Sequence, residues 1–260
     1  MAMPSTLILA LLCVAFVATH IGLAGDGVRA WMIGRLGEIR WILAYGIVAS
    51  VLFGLIAACY ARHQFDGPPG PGLGAVPAMR WALIAVSVAG MALMGSIFAG
   101  YFDSPYAVFA HNFREPYGIE RITRHPFFAG TVMFAAAHAL LSSHLNGAIV
   151  FSSLAVLAAA GARHQDAKLL RRGGEPYRRF LETTSMIPFA AIIAGRQRVV
   201  WRELPAAGLT AGLALAAALR LVHDSIFAHG GLFVIAAVVG GAAIIMLVSA
   251  LRGLRQPRAG

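Results

Sequence analysis

The chain has 260 residues, a length that suits one globular domain or two small ones. Hydrophobic residues make up 59% of it and charged residues only 12%, whereas an average soluble chain carries about 25% charged residues. This composition excludes a soluble protein and predicts an integral membrane protein. In such a protein, a net charge of +10 first indicates which side of the membrane the loops occupy.

The apolar segments predict an all-α, polytopic membrane helix bundle. A helix needs about 20 mostly apolar residues to cross the hydrocarbon of a bilayer, and we predict about seven such spans. We expect a single integral membrane domain over residues 1–260, with a cytoplasmic loop over residues 163–205. The predicted spans are residues 5–24, 41–60, 81–102, 127–145, 147–162, 206–222 and 230–251.

The distribution of basic residues predicts the orientation. All lysines and arginines except Arg62, Arg80 and Arg220 fall in loops on one side of a bundle of this kind, or in its C-terminal tail. Basic loops stay in the cytoplasm, so we expect the N-terminus outside and the C-terminus in the cytoplasm. We expect the membrane to be a bacterial inner membrane. Because topology accounts for the charge, the lipid bilayer is the expected partner and nucleic acid is not.

Two connecting segments have distinctive composition. Residues 66–74 form a Gly/Pro linker that cannot continue a helix, and we expect it to lie flexibly on the outer side. In the cytoplasmic loop, residues 165–172 and 175–184 predict two short surface helices, separated by Gly173 and Gly174. The apolar run 187–193 is too short to span, so we expect it to enter the membrane interface or to pack on the bundle.

Nine histidines are unusual in a chain this apolar. Depth separates them, because only His20 and His138 lie inside predicted spans, and ionisable groups in the membrane are functional candidates. Two neutral imidazoles between helices suit a bis-histidine haem b. Since the chain has no CxxCH motif, that haem would be held without covalent attachment. The alternative is that each histidine bonds a backbone carbonyl and helps helices to pack.

Arg121, Arg124 and His125 form the densest polar cluster beside a span. Pro126 opens the following helix at a position where its missing N–H is tolerated. Basic side chains at a helix N-terminus favour an anion, which could be a phosphate, a carboxylate or the propionates of a haem. The alternative is a cluster that only anchors the helix end at the interface.

Several of these residues lie in motifs that resemble the NnrU family, and within it the branch of the zeta-carotene isomerases. The resemblance runs from about His20 to Gln197. It covers the two histidine-containing spans and the basic junction, whereas the last two helices are only loosely similar. The matching segments are HIGLA at 20–24, GE at 37–38, HQFDG at 63–67, RITRHP at 121–126, AHAL at 137–140, GEPY at 174–177, TSMIPFAAII at 184–193 and GRQ at 195–197.

The resemblance implies a membrane enzyme with haem b whose iron is ligated by His20 and His138. It implies a redox-gated cis-trans isomerisation of an apolar polyene, for which an electron donor sets the state of the iron. His63 and His125 match further family histidines and would support the site. The family's cysteine near the second ligand is replaced by Ala135, so a ligand-switching role for that cysteine is in doubt here.

Three other functions stay open on the sequence. The second NnrU branch is linked by name to nitric oxide and denitrification, and the same histidines could bind haem there without isomerisation. A non-catalytic electron-transfer subunit would use the same two histidines. The junction and residues 175–180 also resemble integral-membrane methyltransferases, in which Arg124, His125, Glu175 and Tyr177 would bind S-adenosylmethionine.

Overall fold

The computed structural model describes residues 4–99 and 114–255 and is all-α. Short 3₁₀ turns connect or extend several of the helices. The end of the third predicted span, residues 100–102, lies outside the described residues, as do the last residues of the basic tail. The α-helices are α1 Ser5–Ala24, α2 Asp26–Leu36, α3 Glu38–His63, α4 Pro77–Ser96, α5 Pro126–Leu141, α6 Leu145–Thr183, α7 Ala190–Ile193, α8 Ala206–Leu221 and α9 Leu232–Arg255.

Four of the described helices, α1, α3, α4 and α6, are long and apolar enough to cross a membrane. Shorter apolar helices include α5 and α8. Large apolar side chains on the long helices are exposed, for example Ile39 and Ile47 on α3 at 75% and 63%. A surface of this kind would be unfavourable in water, so the helices have the length and surface of an integral membrane protein.

The predicted bounds hold best at the first helix, where α1 begins and ends at the predicted residues. The tight turn predicted between the fourth and fifth spans is confirmed, because α5 ends at Leu141 and α6 begins at Leu145. The helix α2 was not predicted, since its mixture of polar and apolar residues gives no spanning signal.

The prediction of two separate surface helices after the fifth span is wrong for residues 165–172. These residues continue α6, because the polar sequence ends the apolar run without containing any residue that stops a helix. The break at the glycine pair is confirmed at Gly174, whose φ of 53° and ψ of −131° are not helical. Glycine adopts such a backbone at little cost, and Pro176 then follows as a residue that lacks an N–H donor.

The Gly/Pro linker, which we expected to be flexible, is held by hydrogen bonds to the turn between α5 and α6. The Gly70 and Gly72 N–H groups donate to the Ser143 and Ser142 carbonyl oxygens, each at 2.9 Å. A Cβ atom on Gly70 would lie 2.5 Å from the Ser142 carbonyl oxygen. The absence of a side chain therefore allows the linker to pack against the turn between α5 and α6.

Two compact units make up the chain. The first comprises Met1–Ser87, Val132–Ala160 and Val222–Ala237, and the second comprises Val88–Thr131, Gly161–Leu221 and Val238–Gly260. In the first unit, α1 packs on α3 through a core of Leu9, Cys13, Ile56 and Tyr60. Phe16 and Phe151 pack against this core from its partly buried edge.

Small residues let two helices of the second unit approach closely. A Cβ atom on Gly95 of α4 would lie 2.5 Å from the Gly208 carbonyl oxygen and 2.6 Å from the Gly212 Cα. Gly208 and Gly212 are four residues apart on α8, the spacing that brings backbones together in membrane helix pairs. The contact between α4 and α8 therefore depends on the absence of side chains at these positions.

We predict that Gly95→Ala will destabilise the protein by about 1–3 kcal/mol, because an added methyl group must push two backbones apart. Gly46→Ala in α3 is the matched control, since a Cβ atom there would meet nothing within 4 Å. The control should be neutral or stabilising by up to about 1 kcal/mol, owing to the better helix propensity of alanine. Thermal unfolding in detergent, followed by circular dichroism, compares the two, and equal effects would contradict the packing described here.

Candidate functional site

His138 is held on α5 with a defined tautomer. Its Nδ1 atom lies 2.8 Å from the Phe134 carbonyl oxygen. A carbonyl only accepts hydrogen bonds, so Nδ1–H is the donor and the neutral ring keeps its lone pair on Nε2. The rings of Phe134 and Phe151 lie 4.2 Å and 4.9 Å from the imidazole, centroid to centroid. His138 therefore presents a basic nitrogen from an aromatic, apolar wall.

His20 lies near the end of α1 and is held in a different way. Its ring contacts Phe16 and Tyr45, with centroid distances of 5.2 Å and 5.3 Å. The Tyr45 hydroxyl donates to the His20 carbonyl oxygen at 3.2 Å rather than to the ring. Among the described residues, nothing forms a hydrogen bond with the buried Nδ1 atom of His20. A buried polar atom without a partner is costly, so this nitrogen is a position at which a ligand would be favoured.

Both histidines belong to the first unit, and both rings touch phenylalanines that pack on the same core. Phe16 contacts His20, Phe151 contacts His138, and both phenylalanines pack against the cluster that contains Cys13. Cys13 is buried and free, and it does not form a disulfide with Cys59. Within residues 4–99 and 114–255, no group of three or more His, Cys, Asp or Glu side chains is arranged to hold a metal ion.

His63 lies at the last residue of α3, away from the apolar core of its unit. Its Nδ1 atom is 2.7 Å from the Asp66 carboxylate, and its side chain is 41% exposed. Its carbonyl oxygen accepts a hydrogen bond from the Asn146 amide at 2.7 Å. The structure therefore gives His63 partners in the turn that follows α3, and its support of a cofactor stays a prediction.

Arg124 and His125 converge on one carboxylate of the second unit, that of Asp166. The Arg124 guanidinium donates to Asp166 Oδ2 from two nitrogens, at 2.9 Å and 3.0 Å. His125 Nε2 lies 2.7 Å from Asp166 Oδ1, and the Tyr177 hydroxyl donates to the same oxygen at 2.7 Å. His125 and Tyr177 are buried. These four side chains form a hydrogen-bonded network, which we call the Asp166 network.

Arg121 has a separate acidic partner. Its guanidinium donates to the Glu203 carboxylate at 2.8 Å and to the Gln197 side-chain oxygen at 3.0 Å. The bond from Arg121, supported by one from the Gly118 N–H, lowers the pKa of Glu203. The stabilisation from this pair is therefore complete above the ordinary pKa of a glutamate and is lost as the pH falls through the lowered value.

The basic junction binds two carboxylates that belong to the chain itself. Arg121 and Arg124 bind the carboxylates of Glu203 and Asp166, which the sequence analysis did not select. The sequence did carry a signal for them, because Asp166 and Glu203 are two of only four acidic residues in the strongly basic region 163–205. An isolated acid among many cations is a candidate for an internal ion pair.

The residues of the methyltransferase-like motif separate in the structure. Tyr177 is fully buried in the Asp166 network. Glu175 is 61% exposed and pairs loosely with Arg178 and Arg179, each at 3.5 Å. Glu175 therefore does not face Arg124 and His125, although those two residues do come together.

These features define an all-α protein with long apolar helices and two histidines in aromatic surroundings. Residues 8–251 match the family described as NnrU protein. The chain belongs to the NnrU family.

Two curated plant proteins are similar to it. The chloroplastic 15-cis-zeta-carotene isomerase of Arabidopsis thaliana is 30% identical over 192 residues, which cover 72% of this chain and 50% of that protein. The chloroplastic 15-cis-zeta-carotene isomerase of Zea mays is 42% identical over 84 residues, which cover 32% of this chain and 22% of that protein. The chain therefore spans about half the length of the Arabidopsis protein and less than a quarter of the length of the maize protein. No solved structure matches the chain significantly.

We predict that Asp166→Asn will destabilise the protein by about 3 kcal/mol, because it removes the charge that compensates Arg124 in a largely buried position. Thermal unfolding in detergent measures the loss. Glu175→Gln is the matched control, an exposed acid on the same helical segment whose loose ion pairs contribute little. If both variants unfold at the same temperature as the unmodified protein, the Asp166 network does not stabilise the second unit.

Proposed function

We propose that the chain is a haem b-dependent enzyme that catalyses cis-trans isomerisation of a polyene, with zeta-carotene as the first candidate substrate. The observation that carries the proposal is the state of the two membrane histidines. His138 keeps the lone pair of Nε2 free because its Nδ1–H bonds the Phe134 carbonyl oxygen, and His20 has a buried ring nitrogen without a partner among the described residues. The names of the two plant relatives suggest the substrate.

The residues present fit a non-covalent haem b. Metal-ligating histidines usually donate their second ring nitrogen to a carbonyl or carboxylate, which fixes the tautomer and orients the ring, and His138 has such a bond. His20 and His138 would hold the iron, and the phenylalanines beside them would meet an apolar macrocycle. When bound, a ferrous haem would supply Lewis-acid chemistry to the polyene, and an electron donor would be needed to reduce it.

The chain's own residues provide the environment that such a reaction needs. The aromatic rings around His20 and His138 form an apolar surface that suits a hydrocarbon substrate and excludes water. The Phe134 carbonyl holds the proton of His138 on Nδ1, so Nε2 remains a base or a ligand. An apolar polyene would reach this surface from the lipid bilayer, since the long helices expose apolar side chains throughout.

The proposed supporting residues are His63, Arg121, Arg124 and His125. Each already has a partner in the structure, because Asp66, Glu203 and Asp166 supply carboxylates to them. A contact between these residues and haem propionates would therefore require one carboxylate to exchange for another. We propose that these four residues support the cofactor site, either by contact with the haem or by keeping their local segments in place.

A second candidate is a haem protein of nitric oxide or denitrification metabolism without isomerase activity. The family match over residues 8–251 supports it as well as the isomerase, since both are branches of the NnrU family. It uses the same two histidines, so it predicts the same haem and differs only in the absence of an isomerised product. No contact in the described residues favours the methyltransferase over these two.

We also propose the topology of the bundle. The seven spans would be α1, α3, α4, α5, the apolar first half of α6, α8 and α9, in a bacterial inner membrane. The N-terminus would lie outside and the C-terminus in the cytoplasm, since the basic loops then lie inside.

We predict that His20→Ala and His138→Ala will each remove the bis-histidine Soret band of the purified protein, because the haem would lose one of its two histidine ligands. An optical spectrum after expression with added haem precursor measures the effect. His164→Ala is the control, a histidine of the second unit that should leave the spectrum unchanged. A colourless unmodified protein would refute the haem proposal.

The same variants separate the two candidates. In cells that accumulate cis-zeta-carotene, the unmodified chain should convert the cis isomer, and His20→Ala and His138→Ala should not. Chromatography of the carotenoids measures the isomer ratio. A haem-loaded protein that leaves the ratio unchanged would contradict the isomerase and favour the second candidate.

The topology gives a further prediction. A protease site or reactive cysteine placed at the C-terminus should be protected in intact cells and should become accessible only after the membrane is opened. The same protease site or cysteine placed at the N-terminus should react with reagents added outside the membrane. The reverse pattern would invert the proposed orientation.

A further inference from the structure

The segment 185–203 of the second unit exposes large apolar side chains although it is too short to span a membrane. Ile187 is 69% exposed, Ile193 is 85% exposed and Trp201 is 79% exposed. Single exposed apolar residues are ordinary on a protein surface, but this segment carries three such side chains and a half-exposed phenylalanine within 15 positions. Such a concentration indicates contact with an apolar environment.

The backbone of the segment is fixed against the junction that precedes α5. The Arg124 N–H donates to the Ser185 carbonyl oxygen, and the Phe189 N–H donates to the Ile122 carbonyl oxygen, each at 2.9 Å. At the other end, Arg121 binds both Gln197 and Glu203. The exposed side chains are therefore carried by an ordered structure.

Phe189 marks the segment as strained. Its φ is 64°, in the left-handed region, where bulky residues are uncommon. Phe189 nevertheless leaves its side chain 49% exposed. Such strain often occurs where a side chain has a functional orientation, and here the outward phenylalanine adds to the apolar surface.

The segment 185–203 lies close in the chain to two apolar helices, α5 and α8. It is tied to the residues that lead directly into the apolar helix α5, and Trp201 precedes the apolar helix α8 by five residues. Five residues span at most about 17 Å even when fully extended. If α5 and α8 lie in the bilayer, the aromatic ring of Trp201 is close to the headgroups, the depth that tryptophan prefers.

Exposed arginines lie in the segment and in the helix that precedes it. Tyr177 and Phe180 are buried against Leu169, so the helical turn between them directs Arg178 and Arg179 outward, with side chains that are 61% and 75% exposed. Three further arginines in the segment itself are exposed. They are Arg196, Arg198 and Arg202.

The nearby acids neutralise only part of this charge, because the single carboxylate of Glu175 pairs with both Arg178 and Arg179, each at 3.5 Å. The carboxylates of Asp166 and Glu203 bind Arg124 and Arg121. The exposed surface therefore has a positive charge, and a guanidinium pairs with a phosphate through two parallel hydrogen bonds.

We propose that the segment 185–203 is a membrane-interface element that inserts Ile193 and Trp201 among the acyl chains. Its arginines, together with Arg178 and Arg179, would bind anionic phospholipid headgroups. Apolar insertion and attraction to anionic lipid act together in elements of this kind. The proposal does not depend on haem or on isomerase activity.

Insertion is tested by the depth of residue 193 in nanodiscs. A nitroxide is attached to Ile193→Cys in full-length protein whose Cys13 and Cys59 are replaced by alanine, and its collisions with oxygen and with an aqueous nickel chelate are measured. The label should collide mainly with oxygen, as lipid-exposed positions do. A label at the exposed Glu182→Cys is the matched control and should collide mainly with nickel. If both labels collide equally often with the nickel chelate, the segment faces water and the proposal is wrong. An acidic soluble protein would then be the better partner for the arginines.

A second measurement needs no change in the core. In otherwise unmodified protein, lipids brominated on the acyl chain should quench part of the tryptophan emission. Trp201→Phe should lower the quenched emission, because it removes a lipid-exposed fluorophore. If the substitution removes only emission that bromolipid does not quench, Trp201 lies in water and insertion is refuted.

The headgroup contact is tested in mixtures of phosphatidylcholine and phosphatidylglycerol. Phosphatidylglycerol retained by the purified protein is measured by mass spectrometry. The double variant R178Q/R179Q should weaken its retention by about fivefold for each arginine removed. The control R62Q/R220Q removes the same charge elsewhere and should have a smaller effect. Equal losses in both double variants would show that binding follows net charge alone and would refute a site at this segment.

Discussion

A bilayer interior offers no water to a polar group, so each polar group there must find its partner within the protein. The packing follows from this constraint. Glycines on α4 and α8 bring backbones into direct contact, His138 donates its ring proton to a carbonyl of its own helix, and Arg124 reaches Asp166 through two hydrogen bonds. His20 departs from the pattern, because its buried Nδ1 has no partner among residues 4–99 and 114–255. Asn146 Oδ1 is the other buried side-chain atom without a partner among these residues. An imidazole nitrogen is the better ligand for iron, so His20 is the main reason to expect a cofactor.

The sequence predicts what is local. The bounds of α1 were predicted to the residue because apolar length decides them, and the break at Gly174 was predicted because glycine and the nearby proline act on their own backbone. The length of α6 was not predicted, since hydropathy falls after residue 162 while the residues that follow still favour a helix. Hydropathy reports the surroundings of a helix, and it does not report where the helix ends.

In the candidate site, too, the sequence predicted the local features, and the fold determined the partners of each residue. Depth in the membrane selected His20 and His138, but their different hydrogen bonding became visible only in three dimensions. The junction of Arg121, Arg124 and His125 was expected to hold an anion, and the structure supplies two carboxylates from distant positions. Asp166 lies 42 residues from Arg124, and no local pattern fixes such a pairing. Residue types therefore predicted the chemistry of the junction, and the fold determined its partners.

The pairing of Arg121 with Glu203 has a consequence for how the protein is made. The two residues are 82 positions apart, and the Asp166 network also needs Tyr177, which follows the break at Gly174. During synthesis, α5 and α6 are complete before Glu203 is added to the chain. Until then Arg121 has no carboxylate at its side, so the start of α5 is completed late, and any truncation before residue 203 would leave a cation at a helix end that the full chain neutralises.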